Sequence, residues 1–213
     1  KARHQRLVER DMAKALRAIA FAVAYNPRAL KSIARAHERE IAAALRRRLA
    51  AIAFQFGNDQ IIMINRPKAA CELLEGKDVQ GAFDGVIAQW LRRHAAAAAK
   101  NIVETFRKTL AGIIADAFND GVNERETGRR IRTRAPEISR TAAERIARTE
   151  THTASERGSY DAAKASGLDM VKEWASAEDQ RTRQSHADAD GQIKEMDQPF
   201  EVGAEALQFP GDP

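Results

Sequence analysis

From Phe83 the apolar and small residues return at helical spacing through Val86, Trp90, His94, Ala98, Ile102, Phe106, Leu110, Ile113 and Ala117, a run of about 35 residues closed by Gly121. An average globular helix has about 12 residues, so an element this long must serve as a stalk or bundle spine around which the other elements pack. The composition agrees with that: aromatics are only 6% of the 213 residues and alanine is abundant, which suits close-packed helices and not an aromatic-rich sheet sandwich. There is room for one large domain or two small ones. The single cysteine, Cys71, excludes an intrachain disulfide or a cysteine-based zinc cage. No run of eighteen apolar residues occurs, so no membrane span is expected, and no signal-peptide pattern opens the chain. The chain opens on Lys1 and is expected to be part of a longer protein.

Before the long helix, Leu7, Val8, Met12, Leu16, Ile19 and Val23 share one helix face, and Asn26-Pro27 supplies the cap and first-turn proline of a second helix. Residues 1–56 therefore read as a basic helical hairpin. On the second helix Leu30, Ile33, Ile41, Leu45 and Ile52 fall on one side, and Arg28, Lys31, Arg35, Arg39 and Arg46 fall within an ~80° arc on the other. Burying the apolar row presents the basic one. Residues 1–50 carry 13 Lys+Arg against 4 Asp+Glu, whereas 151–213 carry 6 against 13, so the two ends suit different partners.

Gly57-Asn58-Asp59, Pro67, Gly76 and Gly81 make 57–82 a connecting segment with a short strand at 61–64. The long helix is assigned to 83–121. Beyond it, 122–213 reads as a C-terminal α+β domain in an otherwise mainly α chain. A short basic helix over 123–135 stops before Pro136, and another runs over 137–165 to Gly167. A strand at 170–174, a short helix opened by Asp179, an Asp190-Gly191 hairpin turn, and alternating segments near Phe200 and 207–209 complete the reading.

Within that domain, residues 179–191 pack two arginines, a histidine and three aspartates into one stretch. Glu150 projects from a helix face otherwise formed by Ala143, Ile146, Ala147 and Ala154, and a carboxylate there needs a partner. Arg181 or Arg183 is the expected donor, because guanidinium grips a carboxylate with two parallel hydrogen bonds. Asp179 is placed to cap the short helix and to pair with Arg183. Asp179, Arg181, Arg183, His186 and Asp190 thus read first as an ion-pair network. A metal site completed by residues outside the chain and a catalytic cluster stay open beside it. His186 and Asp190 alone are too few to hold a cation, and no phosphate loop, nucleophile elbow or H-E-x-x-H pattern occurs. Trp174 reads as a core anchor.

Five blocks in order carry a family resemblance: Ile146-Ala147-Arg148-Thr149-Glu150-Thr151, Lys172-Glu173-Trp174, Asp179-x-Arg181-Thr182-Arg183-x-x-His186-x-x-x-Asp190-Gly191-Gln192, Pro199-Phe200-x-Val202-Gly203, and Pro210-Gly211-Asp212-Pro213. In these the chain resembles the phage Mu F-like head morphogenesis proteins, minor capsid components encoded beside the portal. The resemblance covers roughly 120–213. Family members commonly continue into an asparagine-cysteine-arginine-cysteine segment that this chain lacks, so the domain is expected to be truncated, and a metal at His186 would need ligands from outside the chain.

The resemblance implies a minor head protein of a tailed phage or prophage, made in the host bacterial cytoplasm and carried in the virion head near the portal vertex. Its implied partners are the portal protein and other head proteins, and its implied work is head morphogenesis with DNA packaging or ejection. No cofactor and no catalytic residue are expected. The motif network of Arg148, Glu150, Trp174, Asp179, Arg181, Arg183, His186, Asp190 and Gly191 would be structural. The basic stripe would meet double-stranded DNA without regard to sequence, an acidic protein surface, or only solvent. The rivals are a metal-dependent hydrolase or nuclease using His186 with Asp179 or Asp190, and a carrier domain that delivers an effector module.

Overall fold

A computed structural model of the chain describes residues 1–176 and 182–212. It is mainly helical with a small C-terminal region of short antiparallel strands. Helices α1 (Ala2–Tyr25), α2 (Leu30–Ile64), α3 (Lys68–Leu74), α4 (Val79–Asn119) and α5 (Glu124–Ser166) precede β1 (Val171–Glu173), α6 (Gln184–Asp188), β2 (Ile193–Glu195), β3 (Phe200–Val202) and β4 (Glu205–Leu207). Two compact units result, and neither is contiguous in sequence: unit 1 is 1–51 with 89–151, and unit 2 is 52–88 with 152–213.

Unit 1 is an up-and-down bundle of four helical segments. Val8, Met12, Leu16, Ile19 and Val23 of α1 are fully or almost fully buried, as their spacing predicts, and so are Ile41, Leu45 and Leu49 of α2. Asp11 and Arg48 meet at 2.8 Å, which sets α1 and α2 antiparallel. Burial pushes the Asp11 carboxyl up, but the hydrogen bond and charge of Arg48, with Arg10 and Arg47, hold it below the usual carboxylate range. Segment α4 contributes Trp90, Leu91, Ile102, Val103, Phe106, Leu110 and Ile113 to the core. Segment α5 contributes Ile131, Ala135, Ser139, Ala143 and Ala147, every fourth residue of one stripe and none of them exposed. Its small residues let the helices approach closely: a Cβ on Gly128 would stand 2.2 Å from the Ala24 carbonyl oxygen.

That stripe explains one departure from expectation. Proline lacks the N–H that the helix needs and its ring crowds the carbonyl four residues back, so a stop before Pro136 was expected; α5 instead runs through it as one helix. Ile131 and Ala135 on one side and Ser139 and Ala143 on the other are all buried, and their packing outweighs the local penalty.

Unit 2 holds the ends of the same long helices and all the strands. Here α2 continues through Gly57-Asn58-Asp59 to Ile64, where a break and a strand were expected. Gly57 is a packing glycine: the Phe83 ring occupies the space its side chain would need, 2.1 Å from an ideal Cβ. Phe54 meets the same ring edge-on at 5.8 Å. Gly158 of α5 lies so close to α2 that a Cβ would come within 2.3 Å of the Ala53 carbonyl oxygen. Two apolar clusters follow, one of Ile64, Leu74, Val79 and Ala163, the other of Trp174, Ala189, Phe200 and Val202. β1 pairs antiparallel with β2, Lys172 opposite Lys194, and β3 with β4, Glu201 opposite Ala206.

Candidate functional site

Parts of three motif blocks, at 172–174, 183–192 and 199–203, meet in unit 2 around Trp174. Alternation along β1 turns Lys172 and Trp174 to one face, and Trp174 is 2% exposed, edge-on to Phe200 at 5.3 Å and with the His186 ring 5.5 Å away. Beyond the ladder the Trp174 N–H donates to the Gln192 carbonyl at 2.9 Å and the Gly191 N–H to the Trp174 carbonyl at 2.8 Å. Gly191 sits at φ 73°, the left-handed region that favours glycine. The Asp190-Gly191 turn joins α6 to β2 and is not the tip of a hairpin, as had been expected, because β2 pairs back with β1. Asp190 Oδ1 accepts the Ser176 N–H at 2.6 Å. That bond, together with the packing of His186 against Trp174, engages both members of the imagined cation pair. Among the described residues no group of three or more His, Cys, Asp or Glu is placed to hold a metal.

Asp179 and Arg181 lie outside the described residues. Arg183 is exposed at the N-cap of α6, its carbonyl accepting the N–H groups of His186 at 2.9 Å and Ala187 at 3.0 Å. The described helix thus begins at Gln184, later than a start at Asp179 would give. Arg148 and Glu150 belong to unit 1, where Arg148 is exposed. The bond found for Glu150 is to a histidine: Oε2 lies 2.7 Å from His94 Nε2, with the two side chains only 12% and 13% exposed. His94 is stacked on Trp90 at 4.6 Å. Of the two arginines expected to reach it, Arg181 lies outside the described residues and Arg183 is exposed in unit 2.

Lys172 of the second motif block has a role that the sequence pattern does not reveal. Its ammonium donates to the Gln208 carbonyl at 2.8 Å and to Gln208 Oε1 at 2.9 Å. It lies 5.1 Å from the centre of the Tyr160 ring and 5.0 Å from that of Phe200. Burial and the charge of Lys164 hold the amine below its ordinary range. The last block closes onto α5: Thr153 Oγ1 donates to the Gly211 carbonyl at 3.0 Å. Gly211 has φ 80°, and a Cβ there would stand 3.2 Å from both His152 Cδ2 and Thr153 Oγ1. Asp161, 4% exposed, is pushed up by burial against the counteracting hydrogen bond of Arg157 at 2.6 Å. Lys172, Asp190 and Gly191 thus hold backbone segments of unit 2 in register.

On the bundle, Lys31, Arg35, Arg39 and Arg46 of α2 are all exposed, and so is Arg28 in the turn Pro27–Ala29 that leads into it. Ile41 and Leu45 opposite them are buried, and Leu30 and Ile33 are half-buried. Arg28 Nε lies 3.7 Å from Glu124, a weak surface pair. The basic character of the N-terminal residues extends through the whole bundle, because 89–151 is basic too. By sequence, unit 1 carries 26 Lys+Arg against 12 Asp+Glu, and unit 2 carries 9 against 18.

A basic helical bundle and a second unit that carries the short strands make up a mainly helical protein. Residues 108–210 match the family model of the Phage Mu protein F like proteins, to which the chain is similar over that stretch. No curated protein and no solved structure matches the chain. No helix among the described residues is long and apolar enough to cross a membrane.

Proposed function

We propose that the chain is a minor head protein of a tailed phage or prophage, held at the portal vertex or inside the head, where it assists head morphogenesis and the packaging or ejection of DNA. The match to the Mu F-like family over 108–210 carries this reading. It acts by binding. Asp190 of the motif accepts the Ser176 amide and the Gly211 carbonyl of the last block accepts from Thr153, so these groups are engaged in local structure, which supports a scaffold role over turnover. The basic face of the bundle takes DNA phosphates. Purified particles should contain the chain, and a reconstruction should place it by the portal. Its absence from particles, with normal packaging after deletion of its gene, would remove the proposal. For the DNA contact, the full chain should bind duplexes of unrelated sequence alike, with affinity falling by roughly 0.9 log units per log unit of salt for each phosphate neutralised. Each of Arg35→Ala, Arg39→Ala and Arg46→Ala should shrink that slope by about one where it meets a phosphate. Salt-independent binding would exclude it.

A further inference from the structure

The last turns of α4 are apolar on two faces. Leu110, Ile113 and Ala117 are buried in the bundle. Ala111, Ile114, Ala115 and Phe118, spaced i, i+3, i+4, i+7, form a second row, and Phe118 is 82% exposed. A helix apolar on both sides is ordinarily covered on both. In unit 1 the outer row instead forms one wall of an open groove of about 490 Å³, with Pro27 and Leu30 on the other wall. The rim is cationic on balance: Arg28 and Lys31 stand on one side and Arg107 on the other, with Glu124 beside Arg28 and Glu104 on Arg107 offsetting part of the charge and leaving Lys31 and the neighbouring Arg35 as the excess. Glu104 holds the Arg107 guanidinium with bonds of 2.9 and 2.7 Å, fixing its direction. Lys31, and Arg35 one turn on, are exposed on α2.

We propose that this groove is the docking site for an amphipathic helix with acidic flanks, supplied by another protein. A helix laid in a groove buries anchors at i, i+3, i+4 and i+7, the spacing the outer row presents. Ala111 and Ala115 keep that wall low enough for a neighbouring backbone to approach. DNA would satisfy the cations yet leave Ile114 and Phe118 in water. A symmetric pair of this chain would set Arg28, Lys31 and Arg107 near their own copies, a like-charge cost that an acidic partner turns into attraction. The inference rests on the chain being a binding protein and does not need the DNA contact.

The test uses the full chain and a fluorescent synthetic peptide with leucine at the heptad anchor positions and glutamate on the outward positions, compared with a version carrying lysine for glutamate. Anisotropy should show the acidic peptide bound at least about tenfold more tightly than the basic one, with about a tenfold loss for Phe118→Asp and a smaller loss for Lys31→Glu, one decade being about 1.4 kcal/mol. Ile193→Asp, which alters an exposed apolar residue of unit 2, should leave binding unchanged. Phe118 is so exposed that its replacement should preserve the fold, and helical circular dichroism checks this. Equal affinity for the two peptides, no binding of either, or an unaffected Phe118→Asp would overturn the proposal. Concentration-dependent sedimentation of the chain alone, abolished by Phe118→Asp, would assign the groove to a second copy and overturn it too. If the peptide fails while duplex binding persists, the groove is lost and the proposed function stands.

Discussion

Glu150→Ala tests the bundle at its one motif carboxylate. The substitution strands the His94 ring nitrogen that Glu150 meets at 2.7 Å, in a place where each side chain is little more than a tenth exposed. A polar group left buried without its partner costs about 1–3 kcal/mol. Losing the partly buried side-chain methylenes adds up to about 0.8 kcal/mol each. The expected loss is therefore about 2–4 kcal/mol, which for a chain of this size lowers the melting midpoint by on the order of 5–10 °C. A single variant does not name the partner, so the assay is a double-mutant cycle in urea with His94→Ala. Groups in direct contact couple by about 0.5–3 kcal/mol, and the upper half of that range is expected here. Glu150→Gln keeps the shape and one acceptor oxygen and should recover much of the loss. Coupling below about 0.5 kcal/mol to His94, with a larger value in the matching cycle with Arg181 or Arg183, would refute the histidine pairing and restore the arginine first expected.

Two pairs of variants carry predictions of opposite sign. Gly85→Ala, on an open helix face, should stabilise by about 0.5–1 kcal/mol through helix propensity, whereas Gly158→Ala drives a Cβ against the Ala53 backbone and should cost about 2 kcal/mol net in a thermal melt. A rise in both midpoints would show that α2 and α5 are not in backbone contact there. In acid, Asp11 has a depressed carboxyl, so its contribution is present above the unfolded value and is lost as pH falls through the folded one; Asp11→Asn should flatten the acid limb of stability. Asp161 is raised, so the folded state binds the proton first and this group favours folding as pH falls; Asp161→Asn should steepen the acid limb, and matching pH profiles for both variants would contradict the signs.

Where periodicity and burial agree, the elements were legible. The row from Phe83 to Ala117, apart from the exposed Val86, and the α1 face follow from spacing, and the strand expected at 170–174 is present as β1. Local breakers misled at Pro136 and Gly57 for one reason: a stop signal is a local cost, and it is overridden when residues on both sides are buried, as Ile131, Ala135, Ser139 and Ala143 are. The need of Glu150 for a partner was legible. That His94 supplies it was not, because the two lie 56 positions apart and their meeting depends on the register of antiparallel helices. One signal did exist: His94 was the only ionisable residue in an otherwise apolar helical period.

The interleaving of the two units gives the last prediction, for a fragment spanning 122–213. This is the region that reads as a domain from its motifs, yet it would carry only one of the four helical segments of unit 1. Ile131, Ala135, Ala143 and Ala147 are buried among segments the fragment lacks, and His94, the partner of Glu150, is absent from it. In unit 2 it would lose Ile64, Leu74 and Val79, which cluster with Ala163, and the Ala53 backbone against which Gly158 packs. Each large apolar side chain removed from such a core forfeits about 1.5–3 kcal/mol, and a domain's whole margin is only about 5–15 kcal/mol. The fragment is therefore expected to show helical signal without a cooperative melt and to expose apolar surface to a hydrophobic dye, while the full chain melts sharply. A sharp, cooperative transition for the fragment alone would show instead that the motif region is a self-sufficient domain and that its contacts with residues 1–121 are dispensable.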